Sequence, residues 1–133
     1  MPESRRPDAP FRRRWRSQRF VVSDASMRPA LEPGDRLLVD PAPLRERLPD
    51  VGAIVVLEDP ERPGRLLVKR VVAVDPAGDR VTVRGDAAAL SRDSRAFGPV
   101  PRASVLGVAW FRYLPRDRRR RLEERPTPDV PKP

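Results

Sequence analysis

Hydrophobic and polar positions along this chain fall into short runs separated by turn residues, the spacing of β-strands rather than of helices. Phe20-Val21-Val22 is brief, apolar and β-favouring. Arg36-Leu37-Leu38-Val39-Asp40 follows the turn Glu32-Pro33-Gly34-Asp35. Pro41 to Pro49 has room for one helical turn around Leu44, and Ala53 to Leu57, opened by Gly52, reads as a buried strand. The loop Pro60-Glu61-Arg62-Pro63-Gly64 then leads into a long strand over Leu66 to Asp75. After the turn Pro76-Ala77-Gly78-Asp79, Arg80-Val81-Thr82-Val83-Arg84 alternates as a half-exposed strand should. Residues 85–104 have no period and hold Gly, Pro, Ser and Asp. An irregular segment of that length is unusual in a small domain and often carries function. Val105 to Leu114, with Trp110, Phe111 and Tyr113, is the last strand. No internal repeat is present. The pattern predicts one small, mainly β domain over 19–115, between flexible Arg- and Pro-rich tails at 1–18 and 116–133.

One polar residue breaks this pattern. Of 28 basic residues, 26 are arginine and two are lysine. Lys132 is in the Pro-rich tail, but Lys69 sits inside the most apolar run, Leu66-Leu67-Val68-Lys69-Arg70-Val71-Val72-Ala73-Val74. Alternation puts Leu67, Lys69, Val71 and Ala73 on one face and Val68, Arg70, Val72 and Val74 on the other. Lys69 thus has apolar neighbours on both sides of its own face, while Arg70 requires its own acidic partner or solvent. Arginine keeps its proton in proteins. A buried lysine loses it more easily, because desolvation disfavours the charged form, and the ordinary value of about 10.4 falls. A neutral amine at neutral pH is a general base. The simpler reading is a lysine that snorkels from a strand end.

Composition narrows the chemistry. There are 133 residues, enough for one domain with a core. With no cysteine and no histidine, disulfides, thiolate nucleophiles, Ser-His-Asp triads and His- or Cys-ligated metals are excluded. Catalysis, if any, falls to Ser, Thr, Tyr, Lys, Asp or Glu, and no metal or other cofactor is expected. The net charge of +9 suggests nucleic acid. Its placement argues otherwise: residues 1–19 carry +5, residues 116–133 carry +3, and the middle carries +1. Arg-rich tails read as solvated ends, with weak binding to nucleic acid or to an anionic membrane surface as the functional alternative. No run approaches 18 apolar residues and the N-terminus lacks the apolar stretch of a signal peptide. The expectation is a cytoplasmic protein, with a peripheral membrane protein as the alternative.

A neutral lysine needs a group to deprotonate. The best candidate is Ser26, in Ser23-Asp24-Ala25-Ser26-Met27-Arg28-Pro29-Ala30-Leu31, after a short strand and before a Pro-containing loop. By itself such a serine is most simply a turn former. But Ser26-Met27-x-Pro29-x-Leu31-x-x-Gly34-Asp35 resembles the nucleophile box of the type I signal peptidases. Gly52-x-Ile54-Val55-Val56 resembles the family's next strand, and Val68-Lys69-Arg70-Val71 its lysine box. Gly85-Asp86 and Ser91-Arg92-Asp93-Ser94-Arg95-x-Phe97-Gly98-Pro99-Val100-Pro101 resemble its last box, and Gly107 the glycine that follows. The boxes occur in the family's order over nearly all of 20–115.

The resemblance implies the β fold shared by signal peptidases and self-cleaving repressors, and a Ser-Lys dyad. Ser26 would be the nucleophile and Lys69 its base. Ser91 would orient the lysine amine, and Asp93 and Arg95 would form a supporting ion pair. Met27 and Pro29 would contact substrate, a precursor protein bound as an extended strand. The backbone N–H of Ser26 would be an oxyanion donor. Some positions depart from the pattern. Asp24 stands where relatives have Gly or an oxyanion-donating Ser, and an ionised carboxylate cannot donate. Ala30 replaces the usual Thr, Ala53 a common Asp and Ala87 a common Asn.

Within the family, the Gly34-Asp35-Arg36-Leu37-Leu38-Val39 run, the Phe111-Arg112-Tyr113-Leu114-Pro115 ending and the small size look most like soluble proteases that mature nickel-type superoxide dismutase. Such proteases trim an N-terminal extension from the dismutase precursor. Two alternatives remain. One is processing of secretory preproteins at a membrane, held there through Arg12 to Arg19, Trp15 and Phe20, or by a partner. The other is a non-catalytic domain that binds extended peptides by strand addition.

Overall fold

In the computed structural model, residues 17–41 and 49–122 are described. The apolar runs become an eight-stranded, curled antiparallel sheet. Its strands are β1 (Gln18–Val21), β2 (Arg36–Asp40), β3 (Ile54–Glu58), β4 (Leu66–Val74), β5 (Arg80–Arg84), β6 (Val100–Pro101), β7 (Val105–Leu114) and β8 (Arg120–Arg121). The spatial order is β1-β2-β7-β3-β4-β5-β6, with β8 pairing β7. β7, last of the long strands in sequence, is therefore central: it pairs β2 on one side and β3 on the other.

Alternation along β3 and β4 divides the core in two. Ile54, Val56 and Val68 join Val22, Met27, Leu31 and Leu37 in one cluster. Val55, Leu57, Leu67 and Val71 join Val81, Val83, Val100 and Val105 in the other. The expected faces of β4 hold up to Val71. A register shift against β5 between Val71 and Ala73 then turns Val74 onto the second cluster and leaves Ala73 exposed. A bulge reverses which side later residues face, so strict alternation fails beyond it.

The first strand runs over Gln18–Val21, earlier than the Phe20-Val21-Val22 run. Val22 leaves the ladder; its N–H donates to the Asp35 carbonyl at 2.9 Å and its side chain is buried. The aperiodic 85–104 segment is ordered. It holds a 3-10 turn (Ala88–Leu90), one helical turn α1 (Ser94–Phe97), β6 and a second 3-10 turn (Arg102–Ser104). It shows no period because single hydrogen bonds and isolated apolar anchors, Phe97 and Val100 on the second cluster, hold it rather than a continuous buried face. Structure also continues past Pro115, through a 3-10 turn at Arg116–Arg118 into β8. The helical turn expected around Leu44, and Arg12 and Trp15, lie outside the described residues.

Candidate active site

Ser26 lies on the loop between β1 and β2. Two fully buried side chains, Met27 and Leu31, fasten this loop to the first cluster. Its backbone closes on itself, Arg28 N–H to Ala25 O at 3.1 Å and Leu31 N–H to Met27 O at 2.9 Å. Asp35, also buried, accepts the Glu32 N–H at 2.9 Å and tightens the end of the loop. Of the two residues expected to meet substrate, Met27 is wholly inside the core and Pro29 is exposed. Ser26 itself is 1% exposed, and its Oγ has no hydrogen-bond partner. A buried hydroxyl in that condition costs about 1–3 kcal/mol and is kept where function requires it.

The Ser26 N–H is occupied. It donates to Asp24 Oδ1 at 3.0 Å, the turn that an aspartate makes with the amide two residues on. The departure at Asp24 thus has a definite geometry: the carboxylate points at the Ser26 amide rather than away from it.

Lys69 is 2% exposed. Leu67 and Val71 flank it along β4, and Val55 faces it across the β3–β4 ladder. Its Nζ donates to Ser91 Oγ at 3.0 Å, and Ser91 Oγ donates to Asp93 Oδ2 at 2.7 Å. Burial pushes the Lys69 amine below its ordinary value, against the pull of the Asp24 and Asp93 charges, and the arginines Arg92 and Arg65 add to the lowering. Asp93 caps α1 and also accepts the Gly85 N–H at 2.8 Å. Burial opposes its charge. Hydrogen bonds from the Arg95 guanidinium, Ser91, and the Gly85 and Arg95 amides outweigh burial and bring it down to about 2. Arg95 Nε and Nη2 each lie 3.0 Å from the carboxylate.

No hydrogen bond joins Lys69 to Ser26 Oγ. The two are brought into one neighbourhood by Gly85. The Ser26 carbonyl accepts the Ala87 N–H at 2.9 Å, and a Cβ placed on Gly85 would lie 2.5 Å from that carbonyl oxygen and 2.6 Å from Ser91 Cβ. Only a residue without a side chain lets the loop bearing Ser26 and the corner bearing Ser91 approach this closely.

Arginines brace the surroundings. Arg70, on the opposite face from Lys69, is 1% exposed; its Nε and Nη2 hold Asp86 at 2.8 and 2.7 Å, and Nη1 donates to Gly52 O at 2.9 Å. That is the acidic partner its position required. Sequence reasoning missed two others. Arg92 ties the Ser91–Asp93 corner to Asp59 and, at 2.8 Å, to Glu61 on the β3–β4 hairpin. Arg112 holds the Ser26 loop, donating to Ala30 O at 2.9 Å, and reaches Asp35 at 3.4 Å. The signal for Arg112 was present in the chain: a charge in the middle of an apolar strand, as at Lys69 and Arg70.

Among the described residues no helix is long and apolar enough to cross a membrane. The chain is 37% identical over 112 residues to the mitochondrial ATP-independent inner membrane protease subunit 1b of Arabidopsis thaliana, covering 68% of this chain and 66% of that one, a little under two thirds of the relative. It is 29% identical over 143 residues to the probable signal peptidase I-1 of Synechocystis sp. (75% and 72%), and 29% identical over 126 residues to the mitochondrial inner membrane protease subunit 1 of Xenopus tropicalis (80% and 74%). These relatives correct the expectation of a cytoplasmic protein. Two of them carry the inner membrane in their names, and the lack of a long apolar run, on which the expectation rested, does not bear on association through a surface or a partner. Residues 11–90 match the family model described as signal peptidase, peptidase S26, and with more than half of its length matched the chain belongs to that family.

Proposed function

We propose that this chain is a serine endopeptidase that removes N-terminal leaders from precursor proteins at a membrane, with Ser26 as nucleophile and Lys69 as base. The observation that carries the reading is the buried Lys69 amine, held by Ser91 beside a loop whose serine hydroxyl has no partner. In the first step Ser26 Oγ bonds to the scissile carbonyl carbon and its proton passes to neutral Lys69 Nζ. The carbon–nitrogen bond then breaks and Lys69 returns the proton to the leaving amine. Water then attacks the acyl carbon while Lys69 takes its proton, the ester bond to Ser26 breaks, and Lys69 returns the proton to Ser26 Oγ. The Ser26 N–H is the donor for the oxyanion. Ser91 and Asp93 position the amine, since a lysine side chain left free would sample many rotamers.

The membrane setting is supported by the inner membrane protease and signal peptidase names of the relatives. Of the residues expected to hold the protein there, Arg19 is exposed, whereas Phe20 packs on the first cluster. A second reading, maturation of a nickel superoxide dismutase precursor, is supported by the Gly34–Val39 and Phe111–Pro115 runs. A third, peptide binding without cleavage, draws on the Asp24 carboxylate that covers the Ser26 amide.

One experiment separates them. The full chain is incubated with a signal-peptide-bearing preprotein in anionic phospholipid vesicles and, in parallel, with the dismutase precursor, and products are read by mass spectrometry. One new N-terminus from the preprotein, absent with Ser26→Ala and Lys69→Arg, supports the main reading. Cleavage of the dismutase precursor alone transfers support to the second. Binding of either precursor to Ser26→Ala, with no cleavage by the wild type, leaves the third.

A further inference from the structure

Three features of the loop before Ser26 belong together. The Asp24 carboxylate accepts the amide of the nucleophile at 3.0 Å. The nucleophile's own hydroxyl is buried with no partner. And Asp24 supplies the largest attractive charge acting on the Lys69 amine. A carboxylate oxygen has the charge, size and hydrogen-bonding character of the oxyanion that forms when a serine attacks a carbonyl. In the free protein, Asp24 therefore stands where that oxyanion would take its hydrogen bond.

We propose that Asp24 gates the nucleophile, its carboxylate covering the Ser26 amide until a substrate displaces it. This rests on the peptidase reading of Ser26 and Lys69. The gate acts twice. It withholds a backbone donor, and an oxyanion that forms while Asp24 remains there meets a negative charge. It also favours the ammonium form of Lys69, the form that cannot accept a proton. The other charges facing Lys69 are Asp93 and Arg92 from the segment after β5 and Arg65 ahead of β4; Asp93 acts in the same sense as Asp24 and the two arginines in the opposite one. A plain turn-forming aspartate would serve the first geometry without the second.

The test uses the full chain and a small activated ester, p-nitrophenyl acetate. Ser26 Oγ bonds to the acetyl carbon, the ester carbon–oxygen bond breaks, p-nitrophenolate leaves, and the serine proton passes to Lys69. Acetylation is followed across pH by p-nitrophenolate release and by the mass of the Ser26 peptide, for wild type, Asp24→Ala and Asp24→Asn. Asp24→Ala frees the amide and removes the charge. It is expected to acetylate about tenfold faster or more, since one oxyanion donor is worth about 10²–10³ in rate. Its acidic limb should move to lower pH, because Lys69 loses the charge that favours its ammonium. Asp24→Asn keeps an acceptor for the amide, so its limb should move likewise while its plateau gains less. A merely structural Asp24 would leave the limb in place.

Acetylation of wild type, with both variants no faster and their limbs unmoved, overturns the gate and leaves the peptidase reading standing. No acetyl-Ser26 in any of the three proteins removes the peptidase reading and the gate with it. If Asp24→Ala fails to fold, the near-isosteric Asp24→Asn decides by its limb alone.

Discussion

Lys69 Nζ stands 3.0 Å from Ser91 Oγ, two side chains 22 residues apart in the chain, and Ser91 in turn donates to Asp93. The amine is thus held by a hydroxyl that is itself held by a carboxylate. Ser91→Ala would free the amine without adding charge. The expectation is a fall in kcat of about 10²-fold or more with KM little changed, since the loss is of positioning and not of substrate contact. A fall confined to KM would show that Ser91 acts on substrate instead.

Lys69→Arg and Lys69→Met should both abolish cleavage, a loss of about 10²–10⁴ for a general base. The two differ in stability. Burial depresses the Lys69 value in the folded protein, so the unfolded chain binds more protons between that value and 10.5. The stability penalty is whole below the folded value and fades as pH rises toward 10.5. Lys69→Met lacks it, so this variant should melt higher than wild type at neutral pH, with the gap closing as pH rises. Two lysines in the chain make the direct measurement simple. Lysine labelled at its terminal carbon gives two signals, of which one titrates low.

Gly85 marks where the Ser26 loop meets the Ser91 corner. Gly85→Ala drives a methyl group to 2.5 Å from the Ser26 carbonyl oxygen. Overpacking of this kind costs about 1–3 kcal/mol. Here it should also separate the two halves of the site, so activity should fall further than the change in denaturation midpoint accounts for. Equal activity with lowered stability would mean that Ser26 and Ser91 need not be close.

Asp93 ties the irregular segment to the sheet. Its value of about 2, below the usual 3.8, means that its contribution to stability is whole above pH 3.8 and is lost as pH falls from there to about 2. The effect is on the order of 2 kcal/mol. Wild type should therefore be more stable than Asp93→Asn at pH 6, with the difference shrinking across that acidic range in urea unfolding followed by circular dichroism.

Arg70 and Asp86 form a bidentate pair with almost no exposed surface. Removing one partner strands the other charge, at a cost of about 3–5 kcal/mol. Arg70→Met should unfold at markedly lower urea than wild type, and Arg70→Lys should not restore stability, because an ammonium cannot make the planar two-bond contact. Full rescue by lysine would show that the geometry is unimportant.

Much of this architecture was legible in the chain. The strands β2, β5 and β7 lie where alternation and turn residues put them, because half-buried strands advertise their faces at a period of two. The lysine at 69 declared itself by being the wrong cation in the wrong place. Order in 85–104 was not legible, since Asp93, Ser94 and Gly98 hold it by individual bonds that leave no period. Nor was the Val74 reversal, which depends on a bulge that only pairing with β5 creates.

The sequence by itself determined the mainly β class, a lysine set between apolar neighbours on one face of its strand, and the limits on chemistry set by a chain without His or Cys. Those properties are local: they depend on residue type and on spacing along one strand. Only the tertiary structure decided that the Lys69 amine is buried against the Ser91 hydroxyl, which arginines brace the Ser26 loop, and that Asp24 covers the Ser26 amide. Each of these depends on directions and distances of a few ångströms set by how strands and loops pack, and spacing in sequence does not contain them.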